Sequence, residues 1–156
     1  MSSGGTPEER LAELGLSVPE VAKPLASYVP AVRSGQHVYT AGQLPLREGE
    51  LIATGKVGGE VTEEQALECA RQCGLNALAA VRAEIGELSA IKRVVKVVVF
   101  VASTPDFTGQ PAVVNGASEL FAEVFGEAGR HARSAVGVSV LPLNTPVEVE
   151  AILEIA

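Results

Sequence analysis

The chain has 156 residues, a length that predicts a single folded unit, and 47% of them are hydrophobic, which is enough for a substantial core. Aromatic residues make up only 4%, so this core has to be built from aliphatic side chains. The net charge of −7 argues against a nucleic-acid partner, because contacts to a phosphate backbone rely on clustered lysines and arginines. The short basic segment at 92–96 falls within a strand pattern and is interpreted as a solvated edge.

Membrane and secretion signals are not expected. No apolar run reaches the roughly 18 residues that a membrane-spanning helix needs. Residues 1–5 do not have the charged-then-apolar layout of a signal peptide. We therefore expect a cytoplasmic protein with no membrane partner.

Residues 1–24 are predicted to form an N-terminal extension with one short helix, and residues 25–156 a single α+β domain. Thr6 is suited to the N-cap of that helix and Pro7 to its first position, while Leu11 and Leu14 are expected on one face. Three strand patterns then predict an antiparallel meander with glycine-containing turns, near 28–33, 37–41 and 51–54.

A long helix follows the meander. Thr62 and Gln65 have the spacing of a capping box, and the helix is expected to end near Ile85. Cys69 and Cys73 lie one turn apart on it, among alanines and leucines. A metal site is the alternative, but no His, Cys or Asp stands at a zinc-site spacing, so buried thiols without a metal are favoured.

The second half of the chain predicts a strand at 90–101, a helix at 111–125 and two final strands at 133–140 and 147–155. The first of these strands is continuously apolar and β-branched, which predicts burial on both faces. The order of elements predicts an α+β fold in which a single mixed sheet carries two helices on one face. The other face should then be covered by further copies of the chain, because a large apolar face is not left wet.

Two charged residues in the last strands are the strongest candidates for chemistry. Arg133 directly precedes an apolar strand, and an arginine fork binds a small carboxylate by two parallel hydrogen bonds. Glu148 lies early in the last strand and is suited to handle a proton or a water molecule. The competing interpretations are a surface ion pair for Arg133 and, because Glu148 alternates with Glu150, a merely solvated strand face.

These segments resemble the reactive intermediate deaminase family, also known as the YjgF-like or endoribonuclease L-PSP family. Residues 129–152 resemble its C-terminal signature, 26–29 its Gly-Pro-Tyr turn and 39–45 its Ser-Gly-Gln-Ile-Pro motif. Asn115 with Phe121 resembles its Asn-x-x-Tyr-x-x-Phe helix.

Three positions depart from the pattern. Ala41 replaces the usual serine, Ala135 replaces the usual cysteine, and His131 begins a His-Ala-Arg sequence where the family has aromatic-Pro-x-Arg. His131 is one of only two histidines and could add positive charge near Arg133, although an exposed turn histidine is the favoured interpretation.

The resemblance implies a chorismate-mutase-like α+β fold that assembles as a homotrimer, with sites in the clefts between subunits. It implies hydrolysis of small 2-imino or enamine acids to 2-oxo acids and ammonia without a cofactor. The sequence contains neither a phosphate-binding loop nor a dinucleotide-binding fingerprint that would predict a nucleotide cofactor. In this scheme Arg133 binds the substrate carboxylate and Glu148 positions the water.

The resemblance also implies a set of substrate-binding residues. Tyr28 would lie over a planar substrate, Gly42 would let the backbone approach the ligand closely, and Asn115 would bond across the cleft. Ala41 and Ala135 would line the site, where backbone amides near Ala41, Gly42 and Ala135 would stabilise the tetrahedral intermediate. The alternatives for Tyr28, Gly42 and Asn115 are a half-buried tyrosine, a strand bulge and a local helix-start bond, respectively. Besides an imine hydrolase, the sequence leaves open a non-catalytic trimeric binding protein for small carboxylates and, less favoured, a structural trimer.

Overall fold

The computed structural model of the chain describes residues 5–24 and 26–156. Within these residues, the helices are α1 (Pro7–Glu13), α2 (Glu63–Ile85) and α3 (Gln110–Phe125). The strands are β1 (Ala31–Ser34), β2 (His37–Thr40), β3 (Leu46–Arg47), β4 (Glu50–Leu51), β5 (Ile91–Ala102), β6 (Ala132–Val138) and β7 (Val147–Ile155). Short 3-10 turns lie at 88–90, 126–129 and 142–144.

The main sheet has five strands in the order β1-β2-β7-β5-β6. Strands β5 and β6 are parallel and the other neighbours are antiparallel, so the predicted mixed sheet of an α+β fold is confirmed. The meander is shorter than expected. Instead of a third strand at 51–54, β3 and β4 form a separate two-stranded sheet, turning through Glu48 and Gly49, which both have positive φ, as hairpin turns of this length prefer.

Two helices, α2 and α3, cover one face of the main sheet. The predicted capping box is present: the Thr62 hydroxyl accepts from the Gln65 N–H at 3.1 Å and the Gln65 side chain accepts from the Thr62 N–H at 2.8 Å. A Cβ at Gly116 would overlap the Leu67 carbonyl, so the backbones of the two helices approach closely. Helix α1 is capped by Thr6 as expected. Its Leu11 is buried in the core, but Leu14 is 37% exposed and does not join it.

Strand β5 is buried on one face of the sheet and only partly buried on the other. The side chains of Val97, Val99 and Val101 point to the helices and are fully buried. Val98 and Phe100 point to the other face and are only half-buried. The expectation of burial on both faces was therefore wrong for the single chain, because no element of the described chain covers the second face. We call this second face the open face.

The remaining fold predictions concern the cysteines and the membrane. Cys69 and Cys73 are both buried, as expected. Burial raises the pKa of the Cys69 thiol to about 11, and burial likewise raises the pKa of Cys73, so both are unreactive thiols near neutral pH. Among the described residues, no helix combines the length and the hydropathy that crossing a bilayer requires.

Candidate functional site

Arg133 is held in place by helix α3. It lies on the edge strand β6 opposite Val97, whose side chain faces the helices, so Arg133 points to the same side. Its Nη1 donates to Asn115 Oδ1 at 2.7 Å and to Ser118 Oγ at 3.0 Å, and its Nη2 donates to the Pro111 carbonyl at 3.2 Å. All three acceptors are neutral groups on one helix.

The positive charge of Arg133 has no anionic partner in the described part of the chain, where the ion pairs involve three other arginines. The three bonds to α3 use three of the five guanidinium N–H groups, which leaves the Nε–H and one Nη2–H. Nε and Nη2 share one edge of the planar guanidinium, and such an edge can bind the two oxygens of a carboxylate. The surface ion pair considered as an alternative is therefore not what the described residues form.

Ser118 and His131 extend this arrangement. His131 Nδ1 lies 2.6 Å from the Gly129 carbonyl, which can only accept, so Nδ1 carries the hydrogen. Nε2 is then free to accept from the Ser118 hydroxyl at 2.9 Å. Burial is the main cause that lowers the pKa of His131, and the nearby charge of Arg133 lowers it further while the bond to Gly129 opposes the shift.

His131 is consequently not the exposed turn histidine that the sequence favoured. It is half-buried, and its ring meets the edge of Phe121 with centroids 5.9 Å apart at 83°. Sequence reasoning missed Ser118 altogether. One signal was available, since Ser118 stands at the tyrosine position of the Asn-x-x-Tyr-x-x-Phe pattern that begins at Asn115. We refer to Arg133, Asn115, Ser118 and His131 as the Arg133 cluster.

Glu148 lies on the open face. It pairs with Phe100 across the strands β7 and β5, while its chain neighbours Val147 and Val149 are fully buried on the helix side. Burial, and secondarily the negative charge of Glu150, raises the pKa of Glu148. No hydrogen bond among the described residues ends on its carboxylate. Glu148 is thus a half-buried acid without a donor.

Gly42 lies directly against this acid. The β2–β7 pairing runs through Tyr39↔Ile152 and resumes at Gln43↔Val149, which leaves one extra residue on the β2 side, as in a β-bulge. A Cβ at Gly42 would overlap the Glu148 carboxylate, whose Cδ would be only 2.7 Å away. The bulge considered for Gly42 is therefore present, whereas its predicted approach to a ligand stays a prediction. The group that lies against Gly42 is the Glu148 side chain. We refer to Glu148 and Gly42 as the Glu148 pair.

A buried amide network fixes the segment that follows Gly42. Asn76 on α2 donates to the carbonyls of Leu44 at 2.8 Å and Leu46 at 2.9 Å, and it accepts from Gln72 at 3.1 Å. Both side chains are buried, with exposures of 4% and 6%. The sequence signal for this anchor is the presence of two polar residues on the core face of a long helix.

The other predicted substrate-binding residues are divided between these places. Tyr28 is 45% exposed and shares a small cleft with Gly42, Lys23 and Leu44. The Ala41 N–H donates to the Pro30 carbonyl at 2.8 Å, so this amide is not available to a ligand as the sequence scheme required. Ala135 is half-buried and packs against the core on the helix side of β6.

In one chain, the two predicted catalytic residues therefore do not share a pocket. The Arg133 cluster lies on the helix side of the sheet at the β6 edge, and the Glu148 pair lies on the open face beside β2. Strand β5 separates them. Within the described residues, no group of three or more His, Cys, Asp or Glu side chains is arranged to hold a metal ion.

The mixed sheet, its two covering helices and the edge-strand arginine define an α+β domain with a candidate carboxylate-binding group. Residues 8–155 match the family model described as "YjgF/chorismate_mutase-like, putative endoribonuclease", and the chain belongs to this family. The resemblance seen in the sequence motifs is thereby confirmed.

Individual relatives cover nearly the whole chain. Protein TCP17 of Trypanosoma cruzi is 43% identical over 154 residues, which span 98% of this chain and 96% of that protein. A 2-iminobutanoate/2-iminopropanoate deaminase of Dermatophagoides farinae is 34% identical over 142 residues, or 90% of this chain and 94% of the relative. The crystal structure of Atu1372 from Agrobacterium tumefaciens, whose function is unknown, superposes with a TM-score of 0.89 at 48% identity, covering 96% of this chain and 92% of its own.

Proposed function

We propose that this protein binds small 2-imino acids through their carboxylate and hydrolyses the C=N bond to give a 2-oxo acid and ammonia, without a cofactor. The observation that carries the proposal is the state of Arg133. Its guanidinium is oriented by three neutral acceptors, has no anionic partner among the described residues and keeps two donors unused, one on Nε and one on Nη2. The 34% identity to a deaminase of 2-imino acids supports the choice of substrate class.

In the proposed reaction, Arg133 binds the carboxylate through its Nε–H and the second Nη2–H. Water adds to the imine carbon while Glu148 takes one water proton and passes it to the nitrogen, which gives a carbinolamine. Glu148 then moves the hydroxyl proton of the carbinolamine to the nitrogen, the C–N bond breaks, ammonia leaves and the C=O bond of the 2-oxo acid forms. The raised pKa of Glu148 suits this role, because a base with a pKa closer to the working pH takes the proton more effectively. Imines hydrolyse readily on their own, so few catalytic groups are needed.

Because Arg133 and Glu148 face opposite sides of the sheet in one chain, the proposal requires a second copy. We propose a homotrimer in which the Arg133 cluster of one subunit meets the Glu148 pair of its neighbour. The open face supports this, since Val32, Tyr39 and Val136 are 51%, 45% and 40% exposed there. Light scattering at micromolar concentration should give three times the mass of the chain, and a stable monomer would contradict the shared site.

The decisive assay generates the imine in place with an amino-acid oxidase and follows its decay with and without the protein. The parent protein should accelerate the decay, and Arg133→Ala should not. Arg130→Ala is the matched control, because Arg130 is a highly exposed neighbour that pairs with Glu127. Equal decay with parent and buffer would refute the hydrolase proposal.

A second candidate function is a non-catalytic carboxylate-binding protein. It is favoured by the alanines at 41 and 135, which offer no polar side chain to a reacting group, and by the separation of Glu148 from Arg133. The same assay distinguishes the two: a protein that binds pyruvate in a titration, yet leaves the imine decay unchanged, is the binder.

A further inference from the structure

Ser118 is one of the three acceptors that orient Arg133, and its hydroxyl in turn bonds His131. We infer that Ser118 and His131 are positioning residues, which form a chain of hydrogen bonds from the Gly129 carbonyl to the guanidinium of Arg133 and thereby fix its two unused donors for a carboxylate. The inference rests on the proposed carboxylate-binding role of Arg133. It extends that role to residues that contact neither the carboxylate nor the reacting carbon.

The direction of this chain is set at its inner end. The Gly129 carbonyl can only accept, so it takes the hydrogen of His131 Nδ1 at 2.6 Å. Nε2 must then accept, and it takes the Ser118 hydroxyl hydrogen at 2.9 Å. With its hydrogen committed to His131, Ser118 Oγ presents a lone pair to Arg133 Nη1 at 3.0 Å. Each hydrogen bond in this chain therefore has only one possible direction.

The inner end is also rigid. Gly129 is buried, and a Cβ there would overlap the Phe121 carbonyl, so the segment carrying the accepting carbonyl lies tightly against α3. The His131 ring packs edge-on against Phe121. A serine within a helix commonly bonds back to a carbonyl of its own helix. Ser118 instead donates to His131, which leaves its oxygen directed at Arg133.

A fixed guanidinium matters because an unrestrained arginine loses rotamer freedom when it binds an anion, which weakens binding. Asn115 and Ser118 both accept from Nη1. Removing the hydroxyl leaves Asn115 and Pro111 in place. We therefore expect the guanidinium to become more mobile but to stay near its site, and the dissociation constant for a carboxylate to rise severalfold.

The binding test uses pyruvate as the probe and the full chain throughout. Ser118→Ala and His131→Ala should each lower the affinity for pyruvate about fivefold. The double variant should bind pyruvate as well as the worse of the two single variants, because both residues act through one chain of bonds. Ser118→Thr keeps the hydroxyl and should stay within twofold of the parent. This rescue separates positioning from general packing. Circular dichroism and thermal unfolding check that each variant is folded.

A second readout needs no ligand. Rotation about the Arg133 Nε–Cζ bond, seen in side-chain nitrogen NMR, should be slow in the parent and in Ser118→Thr and faster in Ser118→Ala and His131→Ala. The imidazole signals of His131 should report hydrogen on Nδ1, with His37 as the internal reference.

If the parent does not bind pyruvate but Ser118 still governs this rotation, the proposed function fails and the positioning arrangement stands. Rotation and pyruvate affinity that are both unchanged in Ser118→Ala and His131→Ala would overturn the inference.

Discussion

The Arg133 cluster and the Glu148 pair each contain a charged group without an opposite charge bonded to it, but they hold it differently. Arg133 is oriented by hydrogen bonds that it donates to acceptors on α3, and His131 supports one of these acceptors, Ser118. Glu148 accepts no hydrogen bond among the described residues and is confined by burial and by contact with Gly42. The difference matches the two tasks. A binding group benefits from fixed geometry, whereas a base benefits from poor stabilisation of its charged form.

The largest effect should follow from removing the base. Glu148→Gln keeps the shape of the side chain but cannot accept the water proton, so turnover of the imine should fall by about a hundredfold or more while pyruvate affinity is retained.

The rate of imine hydrolysis by the parent protein should also fall as the pH drops through the raised pKa of Glu148, because the protonated acid cannot accept a proton. Glu150→Gln removes one cause of that raised pKa and should move the acidic limb of the pH–rate profile to lower pH.

Substitution of Arg133 should reduce carboxylate binding. Arg133→Ala removes two charge-assisted hydrogen bonds worth about 1.5–3 kcal/mol each, so pyruvate should bind at least tenfold more weakly in a calorimetric titration. Arg133→Lys should recover only part of this, because an ammonium keeps the charge but not the fork. Arg130→Ala serves as the control. Parent-like affinity in Arg133→Ala would mean that the family's carboxylate site is not used here.

Gly42 tests whether the position of Glu148 matters. Gly42→Ala places a methyl group against the Glu148 carboxylate and should displace it, lowering turnover about tenfold with pyruvate affinity within twofold of the parent. Gly59→Ala is the matched control, since its Cβ would meet only ordinary contacts at 3.4 and 3.6 Å. Full activity in Gly42→Ala would show that the carboxylate works from another position.

The smallest effect is on stability. Because the pKa of Glu148 is raised in the folded chain, folding favours its protonated form, and the carboxylate destabilises the fold above that pKa. Glu148→Gln should therefore be slightly more stable than the parent at pH 7 in urea unfolding. The gap should close as the pH falls below the ordinary glutamate value of 4.5. A less stable variant at pH 7 would indicate that Glu148 has a bonding partner.

The sequence predicted what depends on short-range patterns. The Thr62 capping box and the helix ends predicted near Ile85 and at residue 125 are local features, and all are present. Alternation with Val147 and Val149 also assigns Glu148 to the face opposite the core. Strand β6 gives no such guide, because its small and apolar residues lie on both sides of it.

For that reason the sequence did not reveal that Arg133 and Glu148 face opposite sides of the sheet. The bond between Ser118 and His131 depends on how β6 docks beside α3, which no periodicity encodes. The burial of β5 was overestimated because a continuous β-branched run is the same sequence pattern in two kinds of strand. One kind is covered on both faces, and the other has an open second face.

The most direct test of the central claim, that Arg133 is the carboxylate receptor, is a crystal structure of the protein soaked with pyruvate. The claim predicts the two carboxylate oxygens within hydrogen-bond distance of Arg133 Nε and Nη2, with the bonds from Nη1 to Asn115 and Ser118 unchanged. Pyruvate bound elsewhere, with Arg133 unaltered, would contradict it.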